Sequence, residues 1–81
     1  MESTDLDELA GRIDGVAQAL LRLAAQLEMD GFMLGPRLTQ AWRDARPEHL
    51  ALGAQLQASR KVLLQMAEQL DTARANRQAS Q

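Results

Sequence analysis

The chain has 81 residues, no cysteine, and a formal net charge of −2 from nine basic and eleven acidic side chains. That length holds one domain whose core is marginal, and the lack of cysteine excludes disulfides and thiolate metal sites. The charge balance argues against a general nucleic-acid binder and against a basic membrane-surface helix.

The first element is predicted as a helix from about residue 5 to 29, roughly 37 Å long at about 1.5 Å per residue. Asp5 with Glu8, or Thr4 with Asp7, has the spacing of a capping box, and the cluster of acids suits the positive end of a helix dipole. Leu6, Leu9, Ile13, Val16, Leu20, Leu23 and Leu27 then follow at spacings that alternate between three and four. This is a heptad seam with Leu6 at a and Leu9 at d. Gly31 is placed to end the helix as a C′ residue.

The middle segment, EMDGFMLGPRLTQAW, holds Phe32 and Trp42, the two aromatic residues of the chain. Gly35-Pro36 marks the start of a short amphipathic helix, with Leu38, Ala41, Trp42 and Ala45 on one face. Arg46-Pro47 marks a break or a kink.

The last element is predicted from about 47 to 76, with Pro47 at its first helical position. Its seam runs His49, Leu52, Leu56, Ser59, Leu63, Met66, Leu70 and Ala73. Residues 1–4 and 77–81 are expected to be frayed ends. Leu21 and Leu64 fall at b positions, off both seams.

Two long helices joined by a short one predict an all-α fold, an antiparallel helical hairpin with a short intervening helix. Ala10, Ala17 and Ala24 at e positions, and Val62 at g, widen the apolar stripes beyond a plain a/d seam. A stripe that wide belongs to a helix with more than one neighbour. The expected completion is a second copy, a homodimer forming a four-helix bundle.

Chemistry is scarce in this sequence. One histidine, no cysteine and no tyrosine leave almost no nucleophile–base pair. His49 lacks partners for a metal, and a half-buried place at the bundle end is expected of it. The stretch GRIDGVAQALLRLAAQLE resembles the opening helix of the helical chorismate mutases, which implies a bundle binding a dicarboxylate through arginines and a lysine. The chain departs from that pattern: Arg12 and Arg22 lie at g and c of the seam, and GFMLGPRL replaces the lysine-bearing region. No enzyme, no cofactor and no metal are therefore expected.

Rop-like hairpins bind RNA through a basic helix face, but here the first helix is acidic. Arg37, Arg43 and Arg46 form the one locally basic spot, which makes a small nucleic-acid-associated regulator the alternative reading. The leading expectation is a protein–protein interaction module: an adaptor, co-chaperone or inhibitor of a partner protein. Phe32, Met33, Leu34, Leu38 and Trp42 are the expected partner-binding residues, because Trp and Phe dominate binding hot spots and Met adapts to partner surfaces. No apolar run approaches the roughly 18–20 residues needed to span a bilayer, and MESTDLDEL is unlike a secretory leader. A cytoplasmic location follows as an expectation. Eight arginines to one lysine suggest a GC-rich bacterial or phage genome.

Overall fold

The computed structural model describes residues 3–80, and every described element is helical. The long helix α1 spans Ser3–Met29, α2 spans Gly35–Asp44, a single 3₁₀ turn covers Glu48–Leu50, and α3 spans Ala54–Ala79. The all-α class is as expected, with two long helices and a short one between them. α1 begins two residues ahead of its predicted start and α3 ends three residues past its predicted end; residues 1, 2 and 81, part of the expected frayed ends, fall outside the described residues. Because α1 begins at Ser3, Asp5 lies in the first turn, and Glu8 instead pairs with Arg12 one turn on. No helix among the described residues is long and apolar enough to cross a membrane.

The C-terminus of α1 follows its sequence signal. Gly31 has a φ of 80°, a conformation that carries no steric cost for glycine. The Gly31 N–H donates to the Glu28 carbonyl at 3.1 Å, and the Phe32 N–H donates to the Leu27 carbonyl at 2.9 Å. Those two bonds are the Schellman pattern, and they satisfy carbonyls that the helix end would leave orphaned.

The start of α3 differs from the expectation. Pro47 does initiate a helical turn, with the Leu50 N–H bonded to the Pro47 carbonyl. That turn stops after three residues. Gly53 then takes a φ of 90°, incompatible with a continuing α-helix, and α3 begins at Ala54. His49 and Leu52, assigned by periodicity to the third helix, sit instead in this connection and are exposed.

The pairing of elements is set by which residues meet. Ile13, Val16 and Leu20 of α1 share a groove with Val62 and Met66 of α3. Farther on, Glu28 of α1 is salt-bridged to Arg74 and Arg77. Rising numbers meet rising numbers, so the two long helices run in the same direction. The short helix runs back: Gly35 lies against Arg74, Arg43 pairs with Asp71, and the Arg46 carbonyl accepts from Arg60. The helical hairpin of this fold is thus α2 with its 3₁₀ extension against α3. The segment from Gly35 to Gly53 is long enough to return along α3 before that helix starts. The antiparallel pairing expected for the long helices falls to α2 and α3 for this reason.

The core is small. Leu21 and Ala24 of α1 and Met66 and Leu70 of α3 are buried together, and Ala17, Ala25, Met33, Leu38 and Trp42 pack against them. Thr39 on α2 and Ala67 on α3 are the most enclosed small residues, at 1% and 0% exposure.

Candidate interaction surface

α1 carries two apolar stripes, and the chain buries the weaker one. Ala17, Leu21, Ala24 and Glu28 follow a 4-3-4 spacing and turn toward α3; Leu21 and Ala24 are buried. The strict seam lies about 100° around the helix, as follows from 3.6 residues per turn. It stays in solvent: Leu6, Leu9, Ile13, Val16, Leu20, Leu23 and Leu27 are all exposed, Val16 the most at 63%. The residue placed off the seam by periodicity, Leu21, is the one that anchors α1.

Between the two stripes runs an apolar groove of about 340 Å³, lined by Ile13, Val16, Ala17 and Leu20 with Val62 and Met66 opposite, and Arg12 at one end. On α3 the predicted seam divides. Met66 and Leu70 are buried and Leu63 is half-buried, but Leu56 and Val62 are exposed, as is Leu52 ahead of the helix. Of these exposed residues, Val62 lies beside the open part of α1.

The five residues of the middle segment also divide. Met33, Leu38 and Trp42 pack on the core cluster. Phe32 and Leu34 point outward at 79% and 63% exposure, in the turn between α1 and α2. The structure thus gives three of them contacts within the chain and leaves two free to meet another surface.

A chain of ion pairs closes the end of the molecule next to that turn. Glu28 accepts from Arg74 Nε at 3.0 Å and from Arg77 Nη2 at 2.6 Å. Asp71 accepts from Arg74 Nη1 at 2.9 Å and from Arg43 Nη2 at 2.7 Å. The Glu28 carboxylate sits over Gly35, where any Cβ would collide with it and with Arg74. Its charge therefore lies at the N-terminal turn of α2, the end of the dipole that favours an anion. Burial pushes the Asp71 carboxyl up, but hydrogen bonds from Arg43 and Arg74, with a smaller share from Thr39, outweigh that and hold it below the usual carboxylate range. For Arg74 burial works against the charged form, and its bonds to Glu28 and Asp71 more than offset this and raise its pKa.

These pairs also bear on the basic spot. Arg43 is spent on Asp71, which leaves Arg37 and Arg46 as the exposed members of the predicted cluster. Among the described residues no group of three or more His, Asp or Glu side chains could hold a metal ion. Compared with protein-family models, with curated proteins and with solved structures, the chain matches none. The arrangement offers contact area.

Sequence reasoning missed two features here. The Ala17-Leu21-Ala24-Glu28 row has heptad spacing, yet its single large apolar residue makes a weaker signal than the seam beside it. The seat of Glu28 on Gly35 joins residues that no local pattern relates.

Proposed function

We propose that this protein is a protein–protein interaction module and that the outward stripe of α1 is its main contact surface. The observation that carries the reading is the exposure of seven regularly spaced Leu, Ile and Val residues on one face of one helix. Contiguous apolar surface of this extent is uncommon on monomers, and it marks sites of association. The groove between Ile13, Val16 and Leu20 and the Val62–Met66 face would receive side chains of a partner helix, a helix-in-groove mode read at i, i+3, i+4 and i+7. Phe32 and Leu34 would extend the contact at the α1–α2 turn.

A photo-crosslinking amino acid placed at Val16, in cells that naturally make the chain, tests this. The expected result is a covalent adduct with protein at Val16 and none from the same probe at Glu68, an exposed position of α3 away from the α1 stripe. The absence of any protein adduct at Val16 would remove the proposal.

A further inference from the structure

We infer that the partner covering the α1 stripe is a second copy of this chain, seated isologously across the seam; the inference rests on the interaction reading above. Three observations identify the occupant.

The first is area. The chain exposes 6178 Å², whereas a folded monomer of 8.9 kDa exposes about 4,800 Å². The excess is thus about 1,400 Å² on that scaling. Seven half-exposed seam residues at roughly 100 Å² each supply about 700 Å², and Leu56 and Val62 bring the total near the ~800 Å² per partner of a standard interface. The radius of gyration agrees: 14.7 Å against about 11.7 Å for a compact chain of this length.

The second is self-complementarity. A two-fold contact sets a patch against itself. The α1 stripe is a strict heptad whose required counterpart is another heptad stripe of the same pitch, and the second copy supplies one. The groove beside it, between α1 and Val62–Met66 of α3, offers each copy a place for the other's seam side chains.

The third is charge. The g positions along the stripe are Asp5, Arg12, Ala19 and Gln26, and the e positions are Ala10, Ala17 and Ala24. The two charged flanking residues have opposite signs, so nothing there calls for a partner of opposite net charge. Two copies meet with no uniform like-charge repulsion at the flanks.

Light scattering of the purified chain over a hundredfold concentration range tests the inference. The expected mass is twice 8.9 kDa. Val16→Glu with Leu20→Glu should weaken association at least a hundredfold and return the mass to that of one chain, with helicity by circular dichroism retained. Glu68→Lys, an exposed position of α3 away from the seam, should leave the doubled mass unchanged. A single-chain mass at every concentration overturns the second copy. The Val16 photo-adduct in cells then decides separately whether the interaction reading survives. A doubled mass that persists in the Val16–Leu20 variant overturns the seam as the interface. Should the glutamates melt α1, the photo-probe at Val16 in the otherwise unaltered purified chain gives the answer: a band at twice the chain mass is expected, and its absence overturns the inference.

Discussion

Gly35→Ala separates two opposed physical effects with one methyl group. Gly35 lies in the first turn of α2 at a negative φ. Helix propensity alone would make alanine stabilising there, by up to about 1 kcal/mol. The structure predicts the reverse sign, because the new Cβ would occupy the seat of the Glu28 carboxylate. A free glutamate would swing away at little cost. This one is held by Arg74 and Arg77, and its side chain is 11% exposed, with Arg74 at 19%. Displacing it leaves Arg77 without a carboxylate and Arg74 with Asp71 alone. Breaking a fully buried pair costs about 3–5 kcal/mol and an exposed one under about 1 kcal/mol. The partial burial of Arg77, at 32%, puts the net loss near 2 kcal/mol. For a chain of this size that lowers the melting temperature by roughly 8–16 °C. The assay is thermal melting by circular dichroism at one fixed protein concentration, with Glu28→Gln and the double variant beside it. Glu28→Gln should cost a similar amount, and the double variant should cost clearly less than the sum, since both changes remove the same contacts. A stabilised Gly35→Ala, or strict additivity, would refute the proposed role of the Glu28 seat.

The other predictions concern the core, the glycines of α1 and acid stability. Leu70→Ala, at a 1% exposed position, should cost about 2–5 kcal/mol by urea unfolding; Trp42→Ala should also destabilise the chain, and an unchanged midpoint would contradict its packing on the core. The Cβ of Gly11→Ala or Gly15→Ala would meet nothing within 4 Å, so each should raise stability by about 0.5–1 kcal/mol, whereas Gly31→Ala, at φ 80°, should lower it. The folded-state pKa of Asp71 is depressed, so its contribution is present above the ordinary carboxylate value and is lost as pH falls from about 4 through the lower folded value. A urea series across that window should show a shallower decline for Asp71→Asn, and identical slopes would refute the depressed carboxyl.

Several elements were legible in the sequence because their signals are local. The heptad of α1, Gly31 at its end, the Gly35-Pro36 start of α2 and the break near Pro47 each follow from a few neighbouring residues. The connection ahead of α3 was not legible in the same way. Leu52 and Leu56 continue a 3-4 rhythm straight through Gly53, and nothing in that rhythm shows that Gly53 adopts a φ of 90°. The relative direction of the long helices was equally hidden, because it depends on how far the chain travels between Gly35 and Gly53. Periodicity measures no such distance.

The face that α1 turns inward is the most informative failure of pattern reading. Periodicity ranks stripes by apolar content, and by that measure the Leu6–Leu27 seam exceeds the Ala17–Glu28 row. Packing on α3 selects the lesser row for two physical reasons. Alanines at 17 and 24 let the helices approach closely beside Leu21. Glu28, at the end of the same row, reaches Arg74 and Arg77 only if that row faces α3. Were α1 rotated about 100° to bury its leucines on α3, the carboxylate would leave its seat over Gly35 and both arginines would lose it. The ion pairs and small residues thus fix the rotation of α1, and the stronger stripe is left facing outward as a consequence. A chain with so thin an internal core that also directs its most apolar helix face into solvent has the surface distribution that the proposed dimer requires of each copy.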